Sequence, residues 1–215
     1  MDFIPSLPIL GAYFAAVLVI TFTPGPDMTL FLGKAVSHGR AAGMAAMLGA
    51  ATGILVHTSL VALGLSALIA ASATAFLVLK IVGALYLLWL AVEAVRHGSG
   101  FNLDAAQLQA GRESLFRVWL KGLAVNLLNP KIIMFFVTFL PQFVEADDPI
   151  AAAKLLFLGV LFVVIATPLS VLMILSAAHI AKNLKRSPGL MRAVDWLFAG
   201  VFGAFALRLL FTRPS

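Results

Sequence analysis

Between Ala41 and Leu79 the chain has one side chain able to carry a charge, His57. A helix crosses the bilayer hydrocarbon with about 20 apolar residues. This stretch is too long for one crossing and must turn back, and the gathering of Gly, Ser and Thr between Gly64 and Thr74 marks the place. It therefore reads as two spans, residues 41–63 and 72–95, and four more apolar runs occupy residues 8–32, 118–143, 150–178 and 193–210. Of the 215 residues, 62% are hydrophobic and 11% charged, with a mean hydropathy of +1.05. A soluble domain carries roughly a quarter charged residues. Such a chain cannot cover its surface with polar groups, so the expected fold is an all-α integral membrane protein of about six transmembrane helices.

The net charge of +6 does not point to nucleic acid, because the basic residues fall in expected inter-helix loops rather than in a patch interleaved with aromatics. Ten of them (Lys34, Arg40, Arg96, Arg112, Arg117, Lys121, Lys182, Lys185, Arg186 and Arg192) fall on one side. The other side has Lys154, Arg208 and Arg213, together with Glu145, Asp147 and Asp148. The positive-inside rule puts the first set in the cytoplasm and both termini outside. Trp89, Trp119 and Trp196 then sit at cytoplasmic ends of spans, as interface anchors. Residues Met1 to Ile9 contain no Lys or Arg and include Asp2, so the first stretch lacks a signal peptide's basic region and is expected to stay as a helix. The absence of cysteine excludes disulfides and thiolate metal sites.

Thr23-Pro24-Gly25-Pro26-Asp27 lies inside the first span. Two prolines remove backbone donors and the glycine loosens the rest, so the helix must break there. In hydrocarbon, freed peptide groups are tolerated only against protein or a water-filled cavity. Asn129-Pro130-Lys131 breaks the fourth span, with Asn126 one turn earlier. The breaks occupy the first helix of each half, residues 1–95 and 118–215, joined by a cytoplasmic linker over 96–117. Three helices per half is an odd number, so the second half enters the membrane upside down, giving two inverted repeats.

Thr23 and Asn129 read as N-caps, each followed by proline at the first helical position, so each break is expected to start a half-helix whose free amides face the gap. Two positive helix ends converging near the midplane suit a carboxylate. Asp27 supplies a carboxylate for an ammonium group or a proton, and Lys131 the opposite charge; the two also fit a structural ion pair. The expected substrate-binding set is Thr23, Pro24, Gly25, Pro26, Asp27, Asn126, Asn129, Pro130 and Lys131.

His57 follows Gly49 and Gly53 at helical spacing, a pattern that brings a neighbouring helix close. It reads either as a proton relay beside Asp27 or as a histidine hydrogen-bonded within the bundle. Lys80 is placed to snorkel to the headgroups, Glu93 is interfacial, and Thr167-Pro168 kinks the fifth span, either opening the same cavity or as a plain kink. The 96–117 linker is expected to be solvated, without chemistry of its own. The small-residue faces Gly49/Gly53 and Gly200/Gly203 serve contacts within one chain or in a homodimer equally well. No Gly-rich phosphate loop, zinc-spaced cluster or Ser-His-Asp set is visible, so no enzyme, cofactor or metal site is expected.

At these residues the chain resembles the lysine exporter and homoserine/threonine resistance family of amino-acid efflux proteins, the LysE/RhtB type. The matching features are Thr23-Pro24-Gly25-Pro26-Asp27, the Gly-rich second span with His57, Lys80-Ile81-Val82-Gly83-Ala84-Leu85-Tyr86-Leu87, and Asn129-Pro130-Lys131. The resemblance covers essentially the whole chain. It implies a secondary transporter of the bacterial inner membrane that exports amino acids or similar metabolites from the cytoplasm, coupled to proton entry. Its partners would be amino-acid substrate, protons and lipid, with no nucleic acid. The alternatives are a cation or metal-ion transporter of the same superfamily, which calls for carboxylate, His or Met clusters in the spans, and a non-transporting membrane subunit or enzyme.

Overall fold

A computed structural model describes residues 4–71, 113–144 and 148–177, with scattered positions between 78 and 96 and between 189 and 204. The described segments are helical. The first span is two helices, α1 (Leu7–Phe22) and α2 (Pro26–His38), bent by 53°. Gly39 alone links α2 to α3 (Arg40–Ala71). Its φ of +88° is one that side chains with a Cβ rarely adopt, and its carbonyl accepts the first amides of α3, from Ala42 and Gly43.

The fourth span is again a pair: α4 (Leu115–Leu127), then α5 (Pro130–Met134), bent by 51°. A π-helical turn, Phe135–Phe139, and a 3-10 turn, Leu140–Phe143, carry α5 onward. The last described span is α6 (Ala151–Leu175), which passes through Pro168. α3 and α6 are each long and apolar enough to cross a membrane, and the two bent pairs pass the same test as broken spans. Leucines and valines such as Leu63, Leu128, Val164 and Leu172 are exposed, which suits hydrocarbon rather than water.

Two apolar clusters sit at opposite ends. One holds Tyr13, Val17, Phe135, Phe136, Phe139, Leu155, Leu158 and Phe162. The other holds Met28, Phe31, Leu32, Ala46, Met47, Val118, Met173 and Ile174. Chain order through the clusters makes the broken spans antiparallel, since α1–α2 runs from the first to the second and α4–α5 the reverse. Between the clusters, at both breaks, lie the buried polar residues Thr23, Asn126, Asn129 and Lys131.

α3 packs against α4 backbone to backbone. A Cβ built on Gly49 would fall on the Trp119 carbonyl oxygen, and one on Gly122 would fall on that of Ala46. The Gly49/Gly53 face is thus used within the chain.

Three expectations are corrected. The second span does not end at residue 63: α3 runs helically through Gly64 to Ala71, since no proline interrupts residues 64–71 and a lone glycine does not end a helix, and residues 72–74, the rest of the stretch expected to turn, lie outside the described residues. Thr23 is no N-cap. It closes α1, its hydroxyl donating back to the Val19 carbonyl at 2.6 Å, while Gly25 precedes α2. Lys34, assigned to a loop, lies inside α2 and is buried. Expectations for Lys80, Glu93, Glu145, Asp147, residues 97–112 and the Lys182–Arg186 cluster fall outside the described residues, as do most of the third and sixth spans.

Candidate functional site

Each proline that breaks a span leaves a carbonyl four residues earlier without its helical partner. Pro24 does this to Ile20, and Pro130 to Asn126. Both carbonyls are met by a side chain from another helix, the Asn126 carbonyl in addition to the Asn129 amide at 3.0 Å. Lys131 Nζ donates to the Ile20 carbonyl at 3.2 Å and to that of Thr23 at 2.9 Å. His57 Nε2 lies 3.4 Å from the Asn126 carbonyl; a carbonyl only accepts, so this contact needs the proton on Nε2. The His57 ring also stacks on Phe136, with centroids 5.8 Å apart.

Asn129 behaves as its N-cap position predicts: its Oδ1 accepts from the Lys131 amide at 3.1 Å. Its Nδ2 donates to Asp27 Oδ2 at 3.0 Å, and Asn126 Nδ2 donates to the same oxygen at 2.8 Å. The first turn of α2 and the first turn of α5 are therefore one hydrogen bond apart. Lys131 points to main-chain carbonyls and Asp27 to the two asparagines, so no direct ion pair joins them among the described contacts.

Asp27 Oδ1, Asn126 Oδ1 and Thr21 Oγ1 are buried without a hydrogen-bond partner. All three residues line one cavity of about 60 Å³, closed also by Met28, Phe31, Ile54, Lys131, Phe162 and Ser170. A water needs roughly 10–15 Å³ on this measure, so the space accommodates a few waters or a small solute. The oxygens set its chemistry: two of the three only accept hydrogen bonds, which favours a ligand rich in N–H donors. Asn126 Oδ1 faces Gly53, where a Cβ would overlap the amide, and a Cβ on Gly25 would come within 3.0 Å of Lys131 Nζ. Both glycines leave room for a side chain crossing from the other broken span.

The structure thus gathers Thr23, Gly25, Asp27, Asn126, Asn129 and Lys131 around the gap. Pro24, Pro26 and Pro130 act through the groups they free, and His57 reaches the gap through Asn126. Thr21, Thr167 and Ser170 line the cavity as well. The sequence offered Thr167-Pro168 either as an opening of this cavity or as a plain kink, and it missed the hydroxyls of Thr21 and Ser170, which residue type alone does not separate from the many other membrane-helix hydroxyls.

A second polar cluster was missed entirely. Lys34 Nζ lies 2.6 Å and Lys121 Nζ 2.5 Å from the Glu113 carboxylate. Hydrogen bonds from these two ammonium groups hold the Glu113 carboxyl down at about 2. Glu113, just ahead of Ser114, which caps α4, was the available signal. With its folded value below the unfolded one, this carboxylate stabilises the protein above about pH 4.5, and the stabilisation disappears as pH falls toward 2. We predict that Glu113→Gln lowers stability at pH 7 by about 2 kcal/mol, short of the 3–5 typical of a fully buried pair. Its melting temperature in detergent should then fall less than the wild type's between pH 5 and pH 2. Equal acid sensitivity in the two proteins would remove Glu113 from the account.

A family model described as LysE type translocator matches residues 18–213. The chain is a LysE-type translocator. A homoserine/homoserine lactone efflux protein of Salmonella typhimurium is 31% identical over 191 residues, covering 89% of this chain and 90% of the relative. A leucine efflux protein of Enterobacter sp. (strain 638) is 29% identical, covering 94% and 92%. An uncharacterized membrane protein of Vibrio cholerae is 31% identical, covering 89% and 91%. No solved structure matches the chain. For a LysE-type protein the family match thus bears out the resemblance carried by Thr23–Asp27 and Asn129–Lys131, and with it the all-helical membrane fold.

Proposed function

We propose that this translocator exports amino acids or amino-acid-like metabolites from the cytoplasm across the bacterial inner membrane in exchange for protons. One observation carries the reading: Asp27 is held by Asn126 and Asn129 across the two breaks, with its second oxygen unpartnered in a cavity between antiparallel broken spans. That oxygen takes either the substrate ammonium or a proton. The N-terminal amides of α2 and α5 take the carboxylate. Competition for one carboxylate is the simplest way to couple the two fluxes, and His57, bonded to Asn126, extends the proton path. The names of the relatives support amino-acid efflux.

The two broken spans, antiparallel and each opened by proline, support the division into inverted repeats over residues 1–95 and 118–215. In this arrangement the end carrying Lys34, Arg40 and Lys121 faces the cytoplasm. Arg40 Nη2 donates to the Leu175 carbonyl at 3.3 Å, so the last turn of α6 lies at that same end. Asp148, whose carboxyl is held below its usual range by the Lys154 ammonium and the Ile150 amide, faces outside with both termini.

The test is efflux of radiolabelled leucine, homoserine and lysine from proteoliposomes with an imposed proton gradient. At least one should leave faster as protons enter, with acidification of the lumen seen by a pH dye. If none moves, the exporter reading fails; if a solute moves at a rate indifferent to the gradient, the antiport reading fails.

A further inference from the structure

The first break is built of oxygen. At the end of α1 the Ile20 carbonyl has lost its helical partner to Pro24, and the Thr23 carbonyl stands where the chain is extended. Helix C-termini carry partial negative charge. Unwound carbonyls at such ends, deep in a bilayer, are the ligands with which membrane transporters hold a monovalent cation. Asp27 adds a carboxylate oxygen in the same cavity, unpartnered and buried. The group that meets the two carbonyls is the ammonium of Lys131, at 3.2 and 2.9 Å, brought from the opposite broken span past Gly25.

We propose that the break in the first span is a monovalent-cation site whose resident cation is the chain's own Lys131 ammonium, occupying the position that a bound sodium ion or a small primary ammonium ion would otherwise take. The charged or titratable groups facing it are Asp27 from α2 and, through Asn126, His57 from α3. Among the described residues α1 and α6 present only uncharged lining there, the hydroxyls of Thr21, Thr23, Thr167 and Ser170 included. Two consequences follow. The protein needs no sodium, because the site is filled from within. Removal of the side chain creates a cation requirement that the wild type lacks.

The experiment titrates thermal stability of purified Lys131→Ala, Lys131→Arg and wild type with sodium chloride, methylammonium chloride and choline chloride at constant ionic strength. Choline is too large for the gap and serves as the control. The alanine variant should melt below wild type in choline and recover saturably with sodium or methylammonium. Wild type and Lys131→Arg, whose guanidinium keeps its charge, should respond to neither. Loss of the recovery in Asp27→Asn/Lys131→Ala would place the carboxylate in the site. An alanine variant equally stable in all three salts, or a wild type with its own saturable sodium response, overturns the proposal. If the alanine variant does not accumulate, accumulation of Lys131→Arg but not Lys131→Met supports a required cation, and equal accumulation of both rejects it. The readout is stability, so a chain that moves no amino acid would sink the exporter reading and leave this one standing.

Discussion

Asp27→Asn is expected to abolish proton-driven efflux, by at least about 100-fold, while the protein remains folded. The substitution is nearly isosteric, and the new amide oxygen can still accept from Asn126 and Asn129 as Oδ2 does now. What disappears is the one carboxylate that the described residues bring to the gap, the group proposed to alternate between a proton and an ammonium. The new amide nitrogen would also turn a donor toward a cavity that otherwise offers acceptors, so the affinity for an amine should fall as well. Efflux at several imposed gradients, with a melting curve as the control for folding, checks this. Undiminished efflux at every pH would remove Asp27 from the mechanism, and loss of transport together with unfolding would make its role structural.

The second large effect is expected at the seam between α3 and α4. Gly122→Ala places a methyl group on the Ala46 carbonyl, and Gly49→Ala places one on that of Trp119. The obstacle in each case is backbone within a helix, which cannot step aside as a side-chain tip can. Overpacking a tight core costs about 1–3 kcal/mol and occasionally more, and both seams belong at the upper end. Gly11→Ala is the contrast. A Cβ there meets nothing within 4 Å, and alanine is the better helix former by about 1 kcal/mol. Membrane accumulation and melting temperature should therefore fall for the two seam variants and hold or rise for Gly11→Ala. A Gly122→Ala protein as stable as wild type would show that the helices do not approach this closely.

The breaks were legible because proline acts through chemistry that no tertiary contact can reverse: a missing N–H at 24, 26 and 130 leaves a carbonyl that something must meet. Which helix Thr23 serves was open to the same logic. A residue before proline avoids the helical region, so Gly25 ahead of Pro26 delays α2 and leaves Thr23 to finish α1. The partners of the freed carbonyls were not legible. Opposite charges on Asp27 and Lys131 suggested a pair, but the sequence does not reveal that two asparagines hold the acid and two carbonyls hold the amine. Lys34 was misplaced for a related reason. Counting basic residues by side treats each as solvated, whereas Glu113, 79 positions away, draws this one indoors. The continuation of α3 through Gly64 to Ala71 shows how far a helix outruns a boundary drawn from composition when no residue forbids it.

The two apolar clusters differ in texture. Rings at one end, Tyr13, Phe135, Phe139, Phe143 and Phe162, meet edge to face or tilted within about 5–6 Å, and the Tyr13 hydroxyl is bolted to the Leu158 carbonyl at 2.6 Å. Methionines and alanines make up much of the other, with side chains that slide past one another at little cost. A molecule stiff at one mouth and pliant at the other opens unequally: the basic-residue side should breathe often and admit solute readily, while release through the aromatic stopper sets the pace of each cycle.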